Sequence, residues 1–336
     1  MPSFLLRLRQ TARARRVWLA AALLLTLALA LLSLFVGVGA VTPQRLWAGG
    51  EDGGQALQLL LVSRVPRTLA LLLAGASLAI AGLVMQTIVR NRFVEPSTAG
   101  TTESASLGFL AVTLLAPDWP VMAKMGIAAL FAFAGTALFL RILRFVPLRD
   151  AMLVPLVGLM LGGVIGALTT FLAYRFGLLP SLLAWTVGDF SAVLRGRYEL
   201  LWLGLGAAVL AYLMADRFTV AGMGRDVATS LGLSHESVVT LGLALVSTIA
   251  AVTLVSVGTI PFLGLVVPNL VSLFVGDNMR LTVPWVATLG ALFVLVCDLL
   301  GRVLRAPYEI PIGTMVGVIG SAVFLLLILR GRDRHA

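Results

Sequence analysis

Long apolar stretches follow one another along almost the whole chain, and the short loops between them carry most of the charges. The 336 residues are 60% hydrophobic and only 12% charged, whereas soluble proteins carry about 25% charged residues. A helix of about 20 apolar residues crosses the hydrocarbon core of a bilayer. A helix also satisfies its own backbone hydrogen bonds in lipid. The sequence therefore predicts an all-α integral membrane protein whose function is tied to the membrane.

We expect about ten transmembrane helices in a single transmembrane domain that covers residues 1–336. A basic segment, residues 1–16, precedes the first apolar run. That run, 17–38, is long enough to span the bilayer and too long for the apolar core of a signal peptide, so it is kept as the first span. The predicted spans are 17–38, 66–88, 98–116, 122–145, 151–174, 199–215, 237–257, 260–276, 283–303 and 312–330.

Arginines concentrate at both termini and in alternate loops between the predicted spans. These regions hold 16 of the 25 lysine and arginine residues. Because basic residues favour the cytoplasmic side of a membrane, the pattern predicts that both termini are cytoplasmic, which requires an even number of spans. The same rule explains the net charge of +10 without a nucleic-acid partner.

The residue inventory argues against catalysis in this chain. Cys297 is the single cysteine, and His235 and His335 lie far apart, so we predict no metal site and no cofactor. Lys124, the only lysine, stands in MAKMG, and the P-loop pattern GxxxxGK[ST] is absent. If ATP drives this protein, another chain must bind the ATP and Mg²⁺. The scattered carboxylates form no recognisable nucleophile–base pair, which disfavours a membrane enzyme.

Two prolines, Pro261 and Pro268, interrupt the apolar stretch TIPFLGLVVPNLVSL. Broken helices at membrane depth are tolerated where they face protein or a cavity, so this stretch suggests a transport path. Residues 64–175 and 240–330 have similar lengths and opposite predicted directions of entry, which is consistent with an inverted repeat. An ion-coupled secondary transporter shares these features and stays an alternative, which uptake driven by a proton gradient alone would favour.

Two blocks of sequence resemble the FecCD-type permease family of ABC importers, which take up iron–siderophore complexes, haem and cobalamin. The first block begins with RVPR at residues 64–67 and continues through a Gly/Ala-rich helix. The second contains GTIPFLGLVVPNLVSL, then GDNMR, then CDLLGRVLRAPYEIPIGTMVGVIG. Further positions that match the first block are Gln86, Arg90, Asn91, Pro96 and Gly100.

The resemblance implies a type II ABC importer permease with an inverted repeat in the bacterial inner (cytoplasmic) membrane. It implies alternating-access transport of a ferric siderophore. The implied partners are a second permease copy in a homodimer or heterodimer, two ATP-binding cassette subunits, and a periplasmic or lipoprotein substrate-binding protein. A haem or cobalamin permease is the alternative within the family. Departures from the commonest family pattern favour the catecholate-siderophore subset; they are Arg92, Phe93, Glu103, Pro261 and Asn269.

The resemblance also implies contacts with these partners. Arg64, Arg67 and Arg302 match arginines that dock acidic residues of the binding protein, a pairing suited to the bidentate guanidinium. Anchoring at the membrane interface is the alternative role. The loop 215–236 matches the coupling helices that contact the ATPase, with a short amphipathic helix expected at Arg225–Leu231; a plain connecting loop is the alternative. The coupling candidates are Gly222, Gly224, Arg225, Asp226, Leu231 and Gly232.

Candidates for the pathway or its gate come from the resemblance and from intramembrane polar groups. They are Gln86, Glu103, Ala151, Met152, Pro261 and Asn269. Ionisable residues within a membrane are functional candidates by default, and Glu103 and Asp298 are the two deepest. Asp298 lies four residues before Arg302, so the two share a helix face and can pair. Glu103 has no obvious partner in the sequence, so it either lines the path or binds backbone groups near the start of a broken helix.

Overall fold

The computed structural model of the chain describes residues 12–37, 44, 50–143, 145, 153–196, 198–305 and 308–332. Within these ranges the chain is almost entirely helical, and the single strand-like feature is an isolated bridge between Val187 and Thr259. The predicted all-α class is therefore confirmed. The helices are α1 Ala12–Phe35, α2 Gly50–Leu59, α3 Val65–Val89, α4 Thr101–Leu115, α5 Val121–Leu143, α6 Leu153–Arg175, α7 Leu179–Thr186, α8 Leu201–Leu213, α9 Ala215–Gly222, α10 Arg225–Ser230, α11 His235–Val257, α12 Leu263–Val275, α13 Met279–Leu304 and α14 Ile312–Arg332.

The described helices agree with the expected number of about ten spans. Seven of them are long and apolar enough to cross a membrane, and an eighth span results if α8 and α9, which meet at a 65° bend, are counted as one. Two shorter apolar helices, α4 and α12, complete the set. The break expected at Pro261 is present as the turn before α12, whereas Pro268 lies inside α12 and does not interrupt it as expected.

The second span differs from its predicted range of 66–88. It runs for 37 residues, from Gly53 to Val89, and includes a five-residue π-helix at Leu60–Arg64. Pro66 has no N–H to donate to the Val62 carbonyl one turn earlier. The backbone N–H of Arg195 donates to that carbonyl instead, at 3.0 Å. This arrangement keeps the helix continuous, so Arg64 and Arg67 lie inside it. The sequence had placed them at its outer end.

Helix α3 forms the centre of the bundle. Of its 25 residues, 18 are buried, and it packs against α1, α8, α11, α12 and α13. By contrast, only 17% of the most apolar window of α1 and 22% of that of α6 are buried. Apolar side chains on those two helices therefore face outward, as expected for helices at the lipid-facing or partner-facing rim of a membrane protein.

Small residues let α3 approach two neighbouring helices closely. A Cβ atom added to Gly75 would lie 2.8 Å from the carbonyl oxygen of Gly290 on α13. A Cβ atom added to Gly82 would lie 2.1 Å from the carbonyl oxygen of Gly264 on α12. Backbones can come this close only where neither helix carries a side chain, which is how membrane helices commonly associate. The two contacts fix α3 against α12 and α13.

The segment 215–236 is more helical than the loop predicted from sequence. Its first half is helix α9, and the expected short helix at Arg225–Leu231 is present as α10, Arg225–Ser230. Gly224 (φ +116°) and Gly232 (φ +76°) turn the chain on either side of α10 in conformations that favour glycine. The Ser234 side chain then caps the start of α11. The segment therefore presents α10 between two sharp turns.

We predict that Gly82→Ala destabilises the protein by about 1–3 kcal/mol, because the new methyl group would force two backbones apart. Gly126→Ala on α5 is the matched control, since nothing lies within 4 Å of an added Cβ there. Thermal unfolding of the purified variants in detergent should show a lower Tm for the Gly82 variant alone. Equal Tm values would show that the α3–α12 contact does not limit stability.

Candidate functional site

A cluster of charged side chains joins three helices near the N-terminal end of α3. We call this group, Arg64, Arg67, Asp298, Arg302 and Glu309, the arginine–carboxylate cluster. The two charged residues on α13 are the predicted (i, i+4) pair, and the structure confirms that the Arg302 Nη2 group donates to Asp298 Oδ2. Both side chains are almost completely buried, at 1% and 0% exposure. The pair therefore lies inside the protein.

Arg67 connects this pair to the surface. Its Nη2 and Nε groups donate to Asp298 Oδ1 at 2.7 and 3.2 Å. Its Nη1 group donates to Glu309 Oε2 at 2.6 Å. The Glu309 side chain is 23% exposed, whereas that of Arg67 is 8% exposed. One guanidinium thus bridges a fully enclosed carboxylate and a partly exposed one.

The C-terminal end of α1 supplies the remaining acceptors. Arg302 Nη1 donates to the carbonyl oxygens of Ser33 and Val36, at 3.1 and 2.9 Å. Arg64 Nη1 donates to the same Val36 carbonyl at 2.6 Å. The last carbonyl groups of a helix have no intrahelical donor and carry partial negative charge. The two arginines therefore cap α1 while they balance the buried carboxylate.

The crossing of α3 and α13 explains why Arg67 meets Asp298. Arg67 lies eight residues before Gly75, and Asp298 lies eight residues after Gly290. The contact at Gly75 and Gly290 joins two antiparallel helices, so each charged residue lies about 12 Å from it, on the same side. The glycine contact thereby sets the register that brings the opposite charges together.

The family resemblance implied that Arg64, Arg67 and Arg302 dock a partner protein. The structure brings the three residues together, but their exposures are only 5%, 6% and 4%. A partner carboxylate needs an accessible guanidinium, and these three groups bond to oxygen atoms of this chain. Anchoring at the lipid interface fits the burial no better. The docking role stays a prediction, and Glu309 is the member of the cluster through which a partner could reach Arg67.

Two of the predicted pathway residues, Glu103 and Pro261, line one cavity of about 190 Å³. The cavity lies between the start of α4, the C-terminal part of α11 and the turn before α12. The Glu103 Oε2 atom is buried and has no hydrogen-bond partner among the described residues. A Cβ atom added to Gly162 on α6 would lie 3.4 Å from this oxygen, so Glu103 lies close to the backbone of α6. Glu103 therefore lines an internal cavity, and its role in the transport path stays a prediction, as does the alternative role of binding backbone groups near a helix start.

Gln86 and Asn269 do not line this cavity; Gln86 ties α3 to α12, and Asn269 ties α12 to the loop after α3. Gln86 Nε2 donates to the Gly264 carbonyl at 3.1 Å, next to the close contact of α3 with α12. Asn269 Nδ2 donates to the carbonyls of Arg92 and Leu265, each at 2.8 Å. Gln86 bonds near the first residue of α12 and Asn269 lies near its middle, so their contacts indicate a structural role around this helix. The gate candidates Ala151 and Met152 lie outside the described residues.

Glu95 is a buried polar residue that the sequence analysis missed. It is 3% exposed, and its Oε1 atom accepts hydrogen bonds from the Phe262 N–H at 2.9 Å and from Ser97 Oγ at 2.6 Å. Phe262 adopts φ +63° just before α12. Glu95 thus satisfies an N–H at the start of this helix, where negative charge is favourable. A carboxylate in the Pro/Gly-rich loop VEPSTAG was the available signal, but its partner lies 167 residues away.

We predict that Asp298→Asn lowers the free energy of unfolding by about 3–5 kcal/mol, because it leaves two buried guanidinium groups without their shared carboxylate. Asp277→Asn is the matched control. Asp277 pairs with Arg92 at 2.9 Å, but the two side chains are 72% and 59% exposed, so the expected loss is below about 1 kcal/mol. Denaturant titration in mixed micelles measures both variants. Similar losses would mean that the buried cluster does not stabilise the fold.

The apolar helices, the glycine-mediated contacts and the internal polar network define a multi-pass membrane protein of the permease class. Comparison with known proteins supports this class. The model of the FecCD transport family matches residues 24–330. A solved structure of a metal-chelate type ABC transporter in an inward-facing conformation superimposes with a TM-score of 0.78 at 26% identity, over 94% of this chain and 99% of that one.

Curated relatives match over nearly their whole length. The petrobactin import system permease protein YclN of Bacillus subtilis (strain 168) is 45% identical over 91% of this chain and 96% of its own. The ferric-anguibactin transport system permease protein FatD of Vibrio anguillarum is 44% identical over 81% and 87%. The vitamin B12 import system permease protein BtuC of Klebsiella pneumoniae is 32% identical over 97% of each chain. This chain belongs to the FecCD transport family, and the resemblance drawn from its motifs is confirmed.

Proposed function

We propose that this chain is the membrane-spanning subunit of an ABC importer that carries a ferric siderophore across the bacterial cytoplasmic membrane by alternating access. The observation that carries the proposal is the 45% and 44% identity to permeases named for petrobactin and ferric anguibactin. The permease named for vitamin B12 is only 32% identical over a similar span. The difference favours a siderophore over cobalamin.

ATP-driven transport requires a partner chain that hydrolyses the ATP, because this sequence contains no P-loop. We propose that two ATP-binding cassette subunits bind on the side of α9 and α10, with both termini of this chain also in the cytoplasm. The short helix α10 presents exposed Arg225 and Asp226, and Leu231 just beyond it is 63% exposed. A protruding helix with charged and apolar groups is suited to insertion into a groove of a partner.

We also propose a second permease copy, in a homodimer or a heterodimer, and a periplasmic or lipoprotein substrate-binding protein. The binding protein would dock at the opposite end of α3, over the arginine–carboxylate cluster. Arg67 is the member that can exchange partners, because its contact with Glu309 lies at the partly exposed edge. A carboxylate of the binding protein would replace Glu309, whereas Asp298 stays bonded to both Arg302 and Arg67.

Transport by reconstituted protein tests the main proposal. We expect proteoliposomes that contain this chain, its ATPase and its binding protein to accumulate ferric petrobactin only when ATP is supplied. Omitting the ATPase should reduce uptake to the level of empty liposomes. Accumulation driven by a proton gradient, without any ATPase, would instead support the ion-coupled secondary transporter. ATP-driven uptake of cobalamin in place of the siderophore would contradict the proposed substrate and leave the ABC importer proposal standing.

The docking proposal predicts opposite effects for the two ends of one ion pair. Glu309→Gln removes the internal competitor for Arg67, so the Kd of the binding protein should fall several-fold. Arg67→Glu should raise that Kd at least tenfold, and the effect should weaken at high salt. The Kd of the binding protein is measured against permease that is held in nanodiscs and immobilised on a surface. Arg175→Glu, an exposed arginine at the end of α6, is the control and should leave the Kd unchanged; an unchanged Kd for Glu309→Gln would contradict the exchange.

A further inference from the structure

A groove of about 600 Å³ lies between α5 and α11, outside the cavity and the cluster described above. Its volume falls within the range of about 300–1,000 Å³ that is typical of small-molecule sites. Phe133, Ala137 and Leu140 form one wall, and Val239 and Leu243 form the other. Each set recurs at helical spacing, so two helix faces run side by side along the groove. Both helices qualify as membrane spans, so this part of the groove lies at membrane depth.

One end of the groove is polar. Arg141, in the last turn of α5, and His235, the first residue of α11, lie at this end. Arg141 is exposed and forms no ion pair with any residue that the structure describes. The nearby Glu236 pairs with Arg225 at 3.3 Å, so its charge is already balanced. The polar end therefore carries a positive charge that lacks a described counterion.

The groove has the polarity of a phospholipid. From Phe133 to Arg141 the α5 wall rises eight residues, or about 12 Å, from membrane depth to the helix end. A cationic end can bind a phosphate, whereas the apolar walls can bury an acyl chain. Basic pockets between transmembrane helices commonly bind anionic lipid headgroups. We propose that the groove binds one anionic phospholipid, with its phosphate at Arg141 and His235 and one acyl chain along Phe133, Ala137 and Leu140.

This inference is independent of the transported substrate and of the ATPase contact. It depends only on the placement of the groove at a membrane surface, which the helix lengths support, and on its charge. Arg141 and Arg225 also lie on the side that the arginine distribution assigns to the cytoplasm. Phe145, 81% exposed beside Arg141, is placed as aromatic residues commonly are at a membrane–water interface.

Native mass spectrometry of the purified full-length chain, titrated with dioleoyl phosphatidylglycerol, tests the proposal. The expected result is one tightly retained lipid, with at least tenfold weaker retention of dioleoyl phosphatidylethanolamine. Arg141→Ala should remove the preference for phosphatidylglycerol, and Ala137→Trp should abolish retention of both lipids by filling the apolar wall. Arg16→Ala and Ala134→Trp are matched controls, since both residues are exposed and lie outside the groove, and should leave retention unchanged.

Two results would overturn the proposal. One is equal retention of both lipids by the unsubstituted chain. The other is a groove that is covered by a partner protein instead of a lipid. Ala137→Cys provides that test, because the native Cys297 is only 1% exposed. In the assembled importer, a maleimide that partitions into the bilayer should label the cysteine introduced at position 137. If the ATPase or a second permease copy protects this cysteine from labelling, the groove is the binding site of that partner.

Discussion

The close contact of Gly75 with Gly290 is the constraint on which the polar interior depends. It holds two helices at a separation that no side chain would permit. It also fixes their register, so that Arg67 and Asp298 lie at equal distances from the contact. Without that register, Arg67 would lose its buried partner Asp298, and isolated charges in a low-dielectric interior are very costly. The packing of small residues and the pairing of charges thus depend on each other in this interior.

Burying this many charges is not an efficient way to gain stability. Apolar residues of similar volume can often replace a buried ion pair with no loss, whereas removal of one partner is strongly destabilising. The cluster therefore contributes specificity more than net stability. It attaches the C-terminal end of α1 and the residue Glu309 to a defined position on α3. A protein that must present a reproducible surface to a partner gains from such a constraint.

The sequence predicted the fold class and the approximate number of spans, because long apolar runs leave few alternatives in a membrane. Short-range features were equally accessible: the Asp298–Arg302 pair follows from spacing alone, and the family resemblance indicated the short helix at Arg225. The long-range contacts were not accessible. Nothing in the spacing linked Arg67 with Asp298, 231 residues away, or Glu95 with Phe262. Family motifs located the arginines but did not reveal that other groups of the same chain already bind them.

The helical extent of the RVPR region shows the same limitation in a different form. Hydropathy placed the start of the second span at Pro66, because a proline and two arginines are poor residues for a membrane helix. The structure continues the helix through a π-turn, since Arg195 supplies the missing donor to the Val62 carbonyl. Tertiary contacts thus overrode the local signal. That continuation moved the arginines from an exposed mouth to the interior.

The two ends of α3 are held by interactions of different strength. At its N-terminal end the charges are buried and shared between helices. At its C-terminal end the ion pairs are exposed, with side-chain exposures between 59% and 72%: Arg92–Asp277, Arg225–Glu236 and Arg280–Asp216. Exposed pairs contribute about 0–1 kcal/mol each. The ion pairs that a pull on α9 and α10 would break are therefore weak, whereas opening the opposite end would separate Arg67 from its carboxylates unless a partner supplied a replacement. This asymmetry is consistent with the proposed transport cycle, in which the proposed ATPase acts at one end and the proposed binding protein at the other.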